Sequence, residues 1–150
     1  MSHNMYLESE VMSATPAKLV IMLYDGAINF LKRLDNIDYS RDIELKTYNI
    51  NKAYAIISEL LITLNMEHKA ISEPLFALYT YMQSRLVEAN MQNNSEYVRE
   101  VIRLLTGLRE SWGQIITIEM QKVGQSHSQA IGATSEFSDD EDREVFSLAC

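Results

Sequence analysis

The spacing of apolar side chains, every three or four residues along four long blocks, constrains this chain more than any other feature. Only two prolines and five glycines interrupt the 150 residues, so each block is free to form a long helix. Apolar side chains at this spacing line one face of a helix, and that face must be buried against another element. The sequence therefore predicts an all-α protein.

Start and stop signals mark where the helices begin and end. Thr15 followed by Pro16 is typical of the first turn of a helix, as is Ser72 with Pro74 shortly after it. Short polar links favour antiparallel neighbours, so we expect an antiparallel up-down-up-down four-helix bundle over residues 15–123. The predicted helices are 16–36, 41–65, 73–91 and 94–122.

The two ends of the chain differ from the bundle in composition. Residues 1–14 are expected to form an N-terminal arm. Residues 124–150 are rich in small and polar side chains and then in acids, a composition typical of a flexible tail. Glu136 to Glu144 holds six acids and one arginine, so this run carries −5 of the net charge of −8. The helical body is therefore close to neutral and the tail is acidic. It ends on a short apolar segment, Val145 to Ala149.

Charge and cysteine content exclude several classes of protein. Binding nucleic acid needs clustered Lys and Arg, whereas this chain has 13 basic against 21 acidic residues. Apolar runs such as Leu19 to Leu23 are far too short to span a membrane, and the first residues lack the pattern of a secretory signal. The single cysteine, Cys150, allows no internal disulfide, which suits a reducing compartment. We expect a cytoplasmic protein that neither binds nucleic acid nor inserts into a membrane.

The sequence contains no pattern typical of catalysis. A metal site in a bundle needs inward-facing Glu and the Glu-x-x-His spacing, whereas His3, His68 and His127 fall in the arm, a link and the tail. Cys150 lies at a chain end, with nothing fixed beside it that would activate a thiol. We therefore expect no catalytic residue, no cofactor and no metal, and a protein that is not an enzyme.

The helices carry more apolar surface than a bundle core requires. In the first helix the principal row contains Leu19, Leu23 and Phe30, and a second row contains Tyr24 beside it. Surplus rows on neighbouring helices form a groove for an amphipathic helix of a partner. A dimer interface, or a core wrapped by the protein's own arm, explains the surplus equally well. The residues predicted to line a groove are Ile50, Ala53, Ile57, Leu104 and Leu108. Those predicted to be largely buried are Leu23, Phe30, Ile57, Leu61, Met82, Leu105 and Trp112.

One run near the start of the first helix is shared with a known family. Val11 to Pro16 reads Val-Met-Ser-Ala-Thr-Pro, and Leu19 to Ala27 continues with Met-Leu-Tyr-Asp-Gly-Ala at its end. Agreement continues in order and spacing from Lys52 to Leu60, from Leu78 to Asn90 and from Leu104 to Trp112. Together these stretches resemble the bacterial flagellar export chaperone FliS family. The resemblance implies a structural role for six motif positions: Pro16, Leu23, Tyr24, Asp25, Gly26 and Trp112.

This resemblance implies a function. Proteins of that family are four-helix bundles that hold the C-terminal segment of flagellin, prevent its premature polymerisation in the cytoplasm and deliver it to the flagellar type III export gate. The family's N-terminal tyrosine covers the groove and takes part in handover, a role that would fall here to Tyr6 with Met5, Leu7 and Val11. The alternative is a dimerising structural or adaptor bundle without a flagellin client, so self-association stays open.

Overall fold

The computed structural model describes residues 16–129, apart from the side chains at 119, 120 and 123–129. Helices make up most of this part of the chain, and it contains no strand. The helices are α1 (Pro16–Lys32), α2 (Ile43–Thr63), α3 (Lys69–Gln92) and α4 (Ser95–Gln129). The predicted arm lies outside the described residues, as do residues 130–150 of the predicted tail.

The four helices form an antiparallel bundle, as predicted. Helices α1 and α3 each pack against both α2 and α4, so α1 and α3 lie diagonally opposite each other. Direction follows from the side-chain contacts. Phe30 near the end of α1 stacks edge-on against Tyr48 near the start of α2, with ring centroids 6.4 Å apart. Gln83 in α3 bonds Ser58 in the second half of α2, and Tyr81 bonds Glu100 near the start of α4.

Each helix ends where the backbone leaves helical geometry. Chain direction changes after α1 through Asn36, which has a left-handed φ of 66°. Asn93 ends α3 in the same left-handed region, with φ 52°, and its backbone N–H donates to the Ala89 carbonyl. Asparagine tolerates this conformation better than most residues, which explains why the chain can turn sharply at these two positions.

Three helix bounds differ from the prediction. Helix α1 stops at Lys32 instead of 36, because residues 33–36 turn toward α2. Helix α3 begins at Lys69, before Ser72, whose hydroxyl donates to the Asn65 carbonyl at 2.5 Å inside the link instead of capping the helix. Helix α4 passes through Gly124 and continues to Gln129, so residues 124–129 are helical and do not belong to the tail.

The core is one apolar cluster shared by all four helices. Of the residues predicted to be largely buried, Ile57, Met82, Leu105 and Trp112 lie in it. Leu23, Phe30 and Leu61 pack against the core but remain half-buried. The remaining members include Val20, Leu31, Ile50, Ala53, Leu60, Leu86, Val98 and Val101.

In α1 the second apolar row is the one that faces the core. Val20, Tyr24 and Ile28 are all buried. In the principal row Leu19 and Leu23 are half-buried, and only its later members, Ala27, Leu31 and Leu34, are buried beside the second row. Tyr24 can occupy the centre because its hydroxyl hydrogen-bonds the hydroxyl of Tyr79 on α3 at 2.5 Å. A buried hydroxyl with a partner avoids the cost of a lost hydrogen bond. Periodicity alone could not distinguish the two rows, since both have helical spacing.

The motif shared with the family holds α1 to its two neighbours. A Cβ added at Gly26 would lie 3.3 Å from Cδ1 of Ile56, so the glycine allows α1 and α2 to approach closely. The Asp25 carboxylate accepts a hydrogen bond from Nε of Arg109 on α4 at 2.5 Å. Pro16 is the first residue of α1, and Trp112 is buried against the core.

Candidate partner-binding surface

The structure places most of the predicted groove residues inside the bundle. Ile50, Ala53 and Ile57 are at most 2% exposed, so they stabilise the core and offer no surface to a partner. In this structure these three positions do not line an exposed groove. They belong to the α2 row that faces the centre of the bundle, and a heptad-type spacing is the same for a core row as for a groove. Leu104 and Leu108 are half-buried on α4.

Large exposed apolar side chains lie instead along the outer junction of α2 and α3. On α2, Tyr54 is partly exposed and Ile62 is 75% exposed. On α3, Phe76 is 47% exposed and Val87 is similar. Isolated exposed apolar side chains are normal on protein surfaces, so their importance depends on whether they share one surface.

Hydrogen bonds across the junction show that they do. Gln83 Nε2 donates to Ser58 Oγ at 2.8 Å, which identifies these two residues as facing each other. Tyr54 and Ile62 lie four residues before and after Ser58. Phe76 lies seven residues before Gln83, and Val87 lies four residues after it. Residues at these spacings share one side of a helix.

We call this surface the α2–α3 face, formed by Tyr54, Ile62, Phe76 and Val87. Its central contacts are polar but neutral, since Gln83 also donates to the Tyr54 carbonyl at 3.2 Å. An apolar surface with a few fixed polar groups suits an amphipathic helix, whose apolar side chains recur every three or four residues. Since no formal charge lies among its members, binding to the face should depend little on salt.

A second surface lies on the other side of α3, beside α4. Toward the end of the bundle where residues 93–94 join α3 to α4, this surface is bounded by a cluster of contacts around Arg85. The guanidinium carbon lies 4.5 Å from the ring centroid of Tyr97 and 5.2 Å from that of Tyr81. Glu88 pairs with the same guanidinium at 3.0 Å, and Glu100 lies 3.7 Å from it. The hydrogen bond with Tyr81 raises the pKa of Arg85 above its usual value, so the guanidinium stays charged.

From this cluster toward the link between α2 and α3, the junction of α3 and α4 becomes apolar. Leu78 is one turn before Tyr81 on α3, and Leu104 and Leu108 are one and two turns after Glu100 on α4. Because the helices are antiparallel and Tyr81 bonds Glu100, Leu78 and Leu104 lie at nearly the same level, and Leu108 lies about one turn further toward the link between α2 and α3. All three are half-buried. We call Leu78, Leu104 and Leu108 the α3–α4 groove. Two of them, Leu104 and Leu108, are among the residues predicted from the sequence to line a groove.

The α2–α3 face was missed from the sequence, although a signal for it exists. The core row of α3 contains Tyr79, Met82 and Leu86. Phe76 and Val87 lie off that row but share a side of the helix with each other, because eleven residues are close to three full turns. A search for apolar pairs outside the core row would have found them.

Other site types find no support in the described part of the chain. Among the side chains that the structure describes, no group of three from His, Cys, Asp or Glu is placed to hold a metal ion. Within residues 16–129, no helix has both the length and the apolar character needed to cross a bilayer. The arm residues Met5, Tyr6, Leu7 and Val11 lie outside the described residues.

This chain is similar to several known proteins. Residues 1–119 match the family described as Flagellar protein FliS. The flagellar secretion chaperone FliS of Bacillus subtilis (strain 168) is 38% identical over 114 residues, which cover 76% of this chain and 85% of the relative. The protein of the same name in Salmonella typhimurium is 39% identical over 111 residues, covering 73% and 82%. That of Campylobacter jejuni is 33% identical over 116 residues, covering 77% and 91%.

Proposed function

This chain belongs to the FliS family, and from that premise we propose that it is a flagellar secretion chaperone whose client is flagellin. It holds the C-terminal segment of flagellin in the cytoplasm, prevents premature polymerisation and delivers the client to the flagellar type III export gate. Holding and delivery require a binding surface and no chemical step. The protein therefore acts without a cofactor and is not an enzyme.

The observation that carries this proposal is the apolar surface on both sides of α3, exposed on the α2–α3 face and half-buried in the α3–α4 groove. The α2–α3 face and the α3–α4 groove could each receive one helical turn or more of a client segment. Burying an exposed side chain the size of Ile62 or Phe76 contributes about 1.5 to 3 kcal/mol. A client that folds as it binds must offset the cost of its own ordering, so several such contacts are needed.

The first experiment is calorimetry with the full chain and a synthetic peptide of the flagellin C-terminal segment. We expect binding with a negative heat-capacity change, because apolar area is buried. Moderate salt should weaken binding little, since the α2–α3 face is uncharged. Failure to bind, or binding abolished by moderate salt, would contradict the proposal.

A pair of variants on one helix tests where the client binds. Ile62→Ser should weaken binding at least about tenfold, as expected for the loss of one buried side chain. Leu45→Ser is the matched control, since Leu45 is also exposed on α2. Leu45 is nine residues before Tyr54 and so lies on the opposite side of the helix. Both variants should keep the circular dichroism spectrum and unfolding midpoint of the parent. Equal loss of affinity in the two would contradict a client site on the α2–α3 face.

The N-terminal arm is the part of the proposal that concerns handover. Met5, Tyr6, Leu7 and Val11 are apolar and precede α1, so the arm can cover an apolar surface while the client is absent. Deleting residues 1–10 should leave client affinity unchanged or higher while export of flagellin falls. If the deletion instead unfolds the bundle, the arm is part of the core and has no gating role.

The alternative, a dimerising adaptor bundle without a flagellin client, is distinguished by the same material. A dimer would bury the α2–α3 face against a second copy. Sedimentation of the free chain over a range of concentrations would then show a dimer that Ile62→Ser dissociates, and the flagellin peptide would not bind.

A further inference from the structure

The chain offers its own candidate ligand for one of the two surfaces. Residues 130–150 follow α4, and the apolar run Val145 to Ala149 comes after six acids and one arginine. We propose that residues 145–149 occupy the α3–α4 groove of the same chain when no client is bound. The segment would thereby compete with one part of the client. The competition rests on the proposed function, whereas the contact itself does not.

The position where α4 ends supports this assignment. Asp25 on α1 and Arg109 on α4 are in contact, so they lie at the same level along the bundle. From that level α1 extends nine residues back to its start at Pro16, and α4, which runs in the opposite direction, extends 20 residues on to Gln129 toward the same end. At 1.5 Å per residue, α4 extends about 16 Å beyond the first residue of α1. Its end therefore lies beyond the link between α2 and α3, at the end of the bundle toward which the α3–α4 groove runs.

The length of the remaining chain fits the distance. Leu108 lies 21 residues before Gln129, or about 32 Å back along the helix. Fifteen residues, 130–144, separate Gln129 from Val145, and the sixteen residue-to-residue steps between them span up to about 55 Å when extended. The segment can therefore turn back along α4 and reach the groove. To reach the α2–α3 face it must also cross α3, a further 8 to 10 Å or so.

The size of the groove also fits a short segment. Leu78, Leu104 and Leu108 are half-buried, and the Arg85 cluster closes the end of the groove nearer residues 93–94. Three half-buried leucines offer little apolar area to a ligand, which suits a short segment with two large apolar side chains, Phe146 and Leu148, better than a long helix. A tethered segment has an effective concentration of about 1 mM, so even a dissociation constant of about 1 mM would fill half the grooves.

The single cysteine makes the contact measurable without any client. A nitroxide on Cys150 lies one residue from Ala149, at the end of the proposed segment. In the isotope-labelled full chain, we expect it to broaden the methyl signals of Leu78, Leu104 and Leu108 while those of Ile62 stay sharp. Mixing a nitroxide-labelled chain that is not isotope-labelled with an isotope-labelled chain that carries no nitroxide should give no broadening, because the contact is within one chain.

Variants identify the segment that makes the contact. The double variant F146S/L148S should lose the selective broadening. S135A/S138A is the matched control, with two substitutions in the same part of the chain that leave the apolar run intact, and it should retain the broadening. The proposal is overturned by even broadening over the whole bundle, by broadening at Ile62 instead, by broadening only between separate chains, or by identical behaviour of the two variants.

Competition is tested separately. Ending the chain after Gln129 should tighten binding of the flagellin C-terminal peptide about twofold, the factor expected when half the grooves are freed. Unchanged affinity in a chain that binds the peptide overturns the competition. If the peptide binds neither chain, the proposed function fails, while the nitroxide experiment still decides whether the segment occupies the groove.

Discussion

The two ends of the bundle are built in different ways. At one end, where residues 33–42 and 93–94 link the helices, polar contacts join the elements. Lys46 is buried, and its ammonium donates to the Asn90 carbonyl at 3.0 Å and to Asn93 Oδ1 at 2.5 Å. Large apolar side chains are exposed near both ends, at Ile43, Leu45 and Tyr48 beside the first and at Ile62, Met66 and Phe76 beside the other, where residues 64–68 join α2 to α3. What distinguishes the first end is therefore its buried polar contacts. We call the first the polar end and the second the apolar end.

This difference predicts which substitutions change the stability of the bundle and which change its affinity for a partner. At the polar end the hydrogen bonds are internal, so the groups that make them are already satisfied and have little to offer a partner. At the apolar end Ile62, Met66 and Phe76 contact water, and a partner that covers them gains the free energy of their burial. Substitutions at the polar end should therefore alter the free energy of unfolding, and those at the apolar end should alter affinity.

The largest expected contrast is between two aliphatic side chains. Leu31 is fully buried near the polar end, so Leu31→Ala should lower the free energy of unfolding by about 2 to 5 kcal/mol. Ile62→Ala at the apolar end should change it by less than about 0.5 kcal/mol. Urea unfolding followed by circular dichroism measures both. Comparable losses in the two variants would mean that the apolar end is part of the stabilising core.

A buried cation gives the next largest effect. Lys46→Met keeps most of the aliphatic stem but removes the ammonium that holds Asn90 and Asn93. It should cost about 1.5 to 3 kcal/mol, the range for hydrogen bonds made by a charged group. Lys52→Met, an exposed position on the same helix, should change stability by less than about 0.5 kcal/mol. If Lys46→Met is neutral or stabilising, desolvation of the ammonium offsets its hydrogen bonds.

The sequence predicted the fold better than the site, and the reason is physical. Helical spacing, Pro16 and the polar links were enough to predict four antiparallel helices. Spacing could not say which of two apolar rows faces inward, so Tyr24 was placed in the second row although the Tyr79 hydroxyl makes it a core residue. The same ambiguity placed Ile57 in both the core and the groove, and the structure puts it in the core.

What decides between rows is contact across the chain, which a single sequence does not contain. The bond from Gln83 to Ser58 joins positions 25 residues apart and defines the α2–α3 face. Neither residue stands out in the sequence, because isolated polar side chains are common on helix surfaces. The buried Lys46 was missed for a similar reason. A lysine is expected in water unless its acceptors, here 44 and 47 residues away, are known.

The smallest expected effect concerns the turn at the polar end, and it depends on pH. The Asp38 carboxylate accepts hydrogen bonds from the Ser40 hydroxyl at 2.6 Å and from the Ser40 backbone N–H at 3.0 Å. These bonds, the hydroxyl one first, hold the pKa of Asp38 below its usual value of 3.8. A carboxylate with a lowered pKa stabilises the folded state above its unfolded pKa, and this contribution is lost as pH falls through the folded pKa.

Asp38→Asn should thus lower the unfolding midpoint slightly at pH 7. The difference from the parent should begin to shrink as the pH falls below 3.8 and should disappear once the pH is below the lowered folded pKa of Asp38. Thermal unfolding of both proteins between pH 7 and pH 2 measures it, with Asp35→Asn in the same link as the control for losing one acidic charge. A difference that stays constant down to pH 2, or one that Asp35→Asn reproduces, would show that the bonds to Ser40 do not stabilise this end through the charge of Asp38.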